Sequence, residues 1–266
     1  AGTNPTDKTY INGGVVKTIG AQTYNDPVVV GTAAVAPASV GVTQFVSTGN
    51  SSATPAVAAG TITFANTLDG NNDVQVNTAG ATYFQAAVGG ITALNSLTTD
   101  LAAGTNPTDK TYINGGVVKT VGAQTYNDPL NLGVNTTLTA SMVNFNAAVN
   151  GLGSLSVVGD ATLKGLSVST VGAQSYSGAV TLGADALISA AGTSEVTFTG
   201  SVDGAYALSV NSAGATTFTS AVGALNPLAS LTTNLAAGTN ATDKTYINGG
   251  VVKTVGAQTY NDPLNL

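Results

Sequence analysis

With 266 residues, of which 43% are hydrophobic and only 8% charged, the chain is long enough to bury a substantial core but carries little charge for its surface. It contains no Cys and no His, all seven of its basic residues are lysines, and its formal net charge is -6. These features exclude a disulfide framework, a thiolate or imidazole metal centre and the basic footprint of a nucleic-acid binder, and no apolar run approaches the roughly 20 residues of a membrane helix.

Along the chain the predicted elements are short strands between turns. KTYINGGVVKTIGAQTYNDPVVV at 8–30 reads as a YINGG turn, a VVKTI strand and a QTYNDP corner. TITFANTLDGNNDVQVNTAGATYFQAAVG contains two Phe-centred strands, at Phe64 and Phe84, and Phe198 and Phe218 repeat that spacing. The opening phrase returns at 110–132, where period-two alternation puts Val118 inside and Lys119 outside and makes Leu130 and Leu132 an inward pair. GLSVSTVG then alternates Leu166, Val168 and Thr170 on one side with Ser167, Ser169 and Val171 on the other. Further inward pairs follow at Val180 and Leu182, Val196 and Phe198, and Leu208 and Val210, before the phrase closes the chain at 244–266. No stretch has a sustained 3.6-residue period with caps, so little or no helix is predicted.

The GAQ(T/S)Y marker falls at 20–24, 122–126, 172–176 and 256–260, so the interval between copies is different each time. A second landmark at 69–100 returns at 203–234, in the same order relative to the markers. Fixed order with variable spacing predicts one continuous array over 1–266, all-β, built as a right-handed parallel β-solenoid of coils of about 20 residues. Tandem β-sandwiches are the alternative, but the unit between the markers at 122–126 and 172–176 is too short to keep two packed sheets. Stacked coils align small and β-branched residues in columns, while like charges in a column would repel, in keeping with their scarcity here. Because the chain begins and ends inside repeats, it is expected to be a segment of a longer one.

GAQTYNDPLNLG, GAQSYSGAVTLGADALIS, VTFTGSVDGAYALSVNSAGATTFTSAVG and LASLTTNLAAG together resemble the repeat region of filamentous-haemagglutinin-like large exoproteins and giant bacterial adhesins. The resemblance implies a β-helical shaft at the bacterial cell surface or secreted, serving adhesion, biofilm or surface coats. Its implied partners are other copies or flanking repeats of the same long chain, and glycans of a host or neighbouring cell surface. A self-assembling extracellular filament or surface-layer subunit is the second reading, and a carbohydrate-binding or carbohydrate-active β-helix the third. Neither nucleic acid nor membrane insertion of this segment is expected.

No catalytic residue, cofactor or metal is expected. Triads and most general bases need His or Cys, and the thirteen acids are scattered along the sequence. Asp7, Asp109 and Asp243 are copies of one turn residue, as are Asp26, Asp128 and Asp262, and all six read as structural turn aspartates. DGNND offers Asp69, Asn71 and Asp73 at calcium-type spacing, but the second copy keeps only the first ligand, as Asp203, Ala205 and Ala207, so a solvated turn is the preferred reading. Tyr24, Tyr126, Tyr176 and Tyr260 are expected as partly buried rim residues with their hydroxyls in water. Threonine pairs such as Thr137 and Thr139 or Thr197 and Thr199 reflect strand propensity.

Overall fold

A computed structural model describes residues 7–31, 41–49, 52, 56, 58–100, 109–234 and 243–266. Strands account for all its regular structure, and none of the described residues is helical. The chain divides into two compact units, Ala1–Asn131 and Leu132–Leu266. Each is a parallel β-solenoid, not a pair of packed antiparallel sheets.

In the first unit the chain circulates through three parallel ladders. One joins Gly14–Thr18, Val42–Ser47, Asp73–Thr78, Ser96–Thr99 and Gln124–Tyr126. The next joins Gln22–Tyr24, Ile62–Phe64, Ala81–Phe84 and Lys110–Ile113. The third joins Thr9–Ile11, Val28–Val30 and Leu68–Gly70, then continues as single bridges from Leu68 to Val88 and from Val88 to Val118. One visit to each ladder completes a coil. Phe64 is the register partner of Phe84 on the following coil, as the sequence spacing predicts.

The second unit repeats the plan. Thr136–Phe145 and Leu155–Leu163 lie side by side, and each turns a corner in mid-strand, with a register shift between Thr139 and Met142. At the second of these corners Gly159 has φ 118°, and a Cβ there would stand 1.9 Å from the Ala140 carbonyl oxygen, so only glycine allows the chain to turn so close to its neighbour. From Leu155–Leu163 one ladder leads through Gln174–Tyr176, Val196–Phe198, Thr216–Phe218 and Thr245–Ile247. Another leads through Val180–Leu182 and Val202–Asp203 to bridges at Val222 and Val252. The third joins Val149–Gly151, Ser167–Thr170, Ala186–Ala190, Ala207–Ser212, Ser230–Thr233 and Gln258–Tyr260.

Along one face of this unit the register advances from Leu155 to Gln174, then to Val196, Thr216 and Thr245, and the last of these steps is clearly the longest. The step from Phe64 to Phe84 is therefore one circuit among several of unequal length.

Parallel in-register stacking turns each inward position into a column. Val157, Tyr176, Phe198, Phe218 and Ile247 form one such column, and all five are buried. The rings of Tyr176 and Phe198 stack at 5.2 Å and 9°, and those of Phe198 and Phe218 at 5.1 Å and 3°. In the first unit the column is Tyr24, Phe64, Phe84 and Ile113, with its aromatic members stacked at 5.1 and 5.4 Å. The predicted inward pairs, from Leu130 and Leu132 to Leu208 and Val210, are all buried, as is Val118.

Two predicted placements differ. Leu166 is 75% exposed, because it precedes the strand Ser167–Thr170 and lies on the turn that feeds it. The repeated phrase is also divided differently: TYI and QTY are strands in all three copies, and the chain bends between them at the Asn-Gly segment and again at the glycine before Ala-Gln.

Candidate functional site

Three of the acids that are scattered in the sequence converge in the first unit. Asp100 ends the strand Ser96–Thr99, Asp109 precedes Lys110–Ile113, and Asp128 follows Gln124–Tyr126. Parallel pairing of Leu97 with Gln124 and of Thr99 with Tyr126 brings the first and last of these strand ends together. One carboxylate oxygen from each residue lies within 4.8 Å of the other two. The residues are only 1, 3 and 3% exposed, so the cluster is enclosed by the fold.

The partners of these carboxylates are unequal. Asp128 Oδ1 accepts hydrogen bonds from the hydroxyls of Thr99 (2.9 Å) and Thr111 (3.0 Å), and Oδ2 accepts from Thr111 (2.9 Å). Asp100 Oδ1 accepts from the Thr78 amide at 2.7 Å, whereas its buried Oδ2 has no hydrogen-bond partner among the described residues. Burial, reinforced by the charges of Asp128 and Asp109, pushes the Asp100 carboxyl up to about 8 despite the Thr78 N–H. Burial also raises Asp128, to about 6, with the threonine hydroxyls opposing the shift and Asp109 adding to it.

The second unit contains the same corner with one of its three acids exchanged. Asn234 replaces Asp100, and Asp243 and Asp262 replace Asp109 and Asp128. Asp100 and Asn234 share a left-handed backbone, with φ of 46° and 50°, and Asn234 Oδ1 accepts from the Ser212 amide at 3.0 Å as Asp100 Oδ1 does from Thr78. The Asn234 Nδ2 donates to Asp243 Oδ1. Asp262 keeps its threonines, accepting from Thr233 at 3.0 Å and from Thr245 at 3.0 and 2.8 Å. In this copy an amide donor therefore stands where the first copy presents the bare Oδ2 of Asp100.

This pair of corners adds to the reading of Asp109, Asp128, Asp243 and Asp262 as structural turn residues, and Asp128 also accepts a hydrogen bond from its own backbone. They are buried, and the threonines that bond Asp128 and Asp262 come from other strands. A signal in the sequence could have revealed the cluster: LTTD at 97–100 and LTTN at 231–234 both precede LAAG and differ only in the residue that faces the other acids.

The calcium-type stretch occupies a different place. Asp69 is buried, and its Oδ1 accepts from the Ile91 and Thr92 amides at 2.8 and 3.1 Å, tying down a loop of the next coil. Asp203 does the same for Leu225 and Asn226 at 2.9 and 3.2 Å. Asn71 is half-buried, and Asp73 Oδ1 accepts from Asn95 Nδ2 at 2.6 Å and Ser96 Oγ at 2.5 Å. Asp69 and Asp73 thus each have an oxygen engaged by the following coil.

Tyr24 and Tyr260 are partly buried, as expected, whereas the other two marker tyrosines lie deeper. Tyr126 and Tyr176 are fully buried, and the hydroxyl of each donates to a glutamine two positions earlier, at 3.0 Å to Gln124 and 2.9 Å to Gln174. Gln174 Nε2 in turn donates to Val168 O, Thr170 Oγ1 and Ser189 O. In the copies at 122–126 and 172–176 the Gln and Tyr of the marker thus form a buried polar plug that satisfies backbone carbonyls inside the coil. Burial raises all four tyrosine hydroxyls above their ordinary value, Tyr24 to about 12.

Outside the core, Thr137, Ser156, Ser175, Thr197 and Thr217 stand in register, one hydroxyl per coil on one face. Unequal coil lengths hide this column from a simple reading of sequence spacing. No protein-family model, no curated protein and no solved structure matches the chain.

Proposed function

We propose that the chain is a non-catalytic structural element, the β-solenoid shaft of a bacterial surface or secreted adhesin-like protein. The observation that carries this reading is the run of unbroken core columns, in which each coil supplies the same inward positions to the next. Stability in such a stack is a sum of coil and neighbour terms, so coils can be added without redesigning the rest, as a shaft requires. The three acids that converge are covered, and a hydrolase or lyase needs its carboxylates open to a substrate. The sequence resemblance to filamentous-haemagglutinin-like repeats points the same way.

The test is immunolabelling of intact, unpermeabilised cells of the producing bacterium with antibody to this chain, together with attachment assays on a strain lacking it. Surface label and reduced attachment or biofilm are expected. Label confined to permeabilised cells, or cleavage of polysaccharide by the purified chain, would overturn the reading.

A further inference from the structure

We propose that Asp100, Asp109 and Asp128 are the ligands of a divalent-cation site of calcium type. Three observations lead to it independently of the shaft reading. The first is geometric: two oxygens bound to one calcium ion at roughly 2.3 to 2.6 Å can be at most about 5 Å apart, and one oxygen from each carboxylate lies within 4.8 Å of the other two.

The second is the Oδ2 of Asp100, a buried acceptor with no donor among the described residues. Leaving such an atom unsatisfied is costly, and more so beside other carboxylates. The third is the internal control. In the second unit the equivalent atom is the amide nitrogen of Asn234, and it donates to Asp243. At the same corner, therefore, evolution has provided a positive hydrogen where the cluster holds two acids, and a third acid where it does not. A cation bridging Asp100 and Asp109 supplies the missing positive charge, while the two threonine hydroxyls hold Asp128 in place for it.

The ion would link the end of the strand Ser96–Thr99 to the start of Lys110–Ile113 and to the bend after Gln124–Tyr126, clamping consecutive coils. Magnesium suits the site less well, because it demands near-ideal octahedral geometry at about 2.0 to 2.1 Å and gives up its waters reluctantly.

The experiment uses the full chain stripped with chelator, then titrated with calcium by calorimetry and with terbium by luminescence sensitised through the neighbouring Tyr126. Uptake of one ion and a rise in thermal midpoint with calcium are expected. Asp100→Asn should fold, since asparagine occupies this position in the second unit, and should bind at least tenfold more weakly with no calcium-dependent rise in midpoint. Asp109→Asn provides the same comparison should Asp100→Asn not fold. Two results would overturn the proposal: calcium binding unchanged in the folded variant, which would put the ion elsewhere, or no uptake at millimolar calcium, which would leave a proton shared between the carboxyls as the missing positive charge.

Discussion

Phe198→Ala is the sharpest probe of the stacked core. Phe198 is fully buried and sits between two parallel rings, Tyr176 at 5.2 Å and Phe218 at 5.1 Å, so truncation removes both contacts and leaves a cavity that rigid neighbouring coils cannot close. Phe-to-Ala changes in cores cost about 3 to 5 kcal/mol, and each lost ring pair contributes about 0.5 to 1.5 kcal/mol beyond buried area, so a loss near the upper end, about 5 kcal/mol, is expected. Phe218→Ala should cost about 1 kcal/mol less, because Phe218 stacks on Phe198 on one side and meets Ile247 on the other. Urea denaturation monitored by circular dichroism measures the total. Hydrogen exchange locates it: the loss of protection should centre on Gln174–Tyr176, Val196–Phe198 and Thr216–Phe218 and fade with distance along the unit. A cost below about 1.5 kcal/mol, or protection lost evenly throughout the unit, would refute the column as the source of stability.

Three further outcomes follow from the polar interior and the corners. In chelator-treated protein the Asp100 and Asp128 carboxyls, raised to about 8 and about 6, hold protons in the folded chain at pH values where the unfolded chain has released them. Stability should therefore be greatest near pH 4 and fall as pH rises towards 8, by on the order of a few kcal/mol, and Asp100→Asn should remove the upper part of that fall in thermal melts across the range. Gln174→Leu removes the acceptor of the Tyr176 hydroxyl and the donor to three oxygens, and should cost about 2 to 4 kcal/mol in urea titrations, against about 1 kcal/mol for Tyr176→Phe. Gly159→Ala forces a Cβ to within 1.9 Å of the Ala140 oxygen at φ 118° and should lower stability by about 2 kcal/mol or more, whereas Leu166→Ser on the exposed turn should change it by less than about 0.5 kcal/mol.

The solenoid was legible because its evidence is local and repeated. Alternation identified Val180, Leu182, Val196 and Phe198 as inward residues, and the step from Phe64 to Phe84 proved to be true register. What remained hidden depends on which coil lies beside which. Tyr126 and Tyr176 looked like rim residues because a hydroxyl prefers water; Gln124 and Gln174, two positions earlier, supply the acceptor that lets them go inside. Leu166 fits the alternation by its position but lies one residue before its strand begins, where the turn points it outward. The acid cluster joins Asp100 to Asp128 across a whole coil, and no local pattern signals such a meeting; only the Asp100 to Asn234 exchange between otherwise matching stretches marks it.

The identical phrases at 110–132 and 244–266 rest on equivalent supports, Ile113 pairing with Phe84 and Ile247 with Phe218. Recombination between the gene segments encoding them would excise one phrase together with everything between the two, and leave the second phrase seated on Phe84, in a contact that the first already makes. A chain shortened by that whole block would thus keep a seam that the fold already contains.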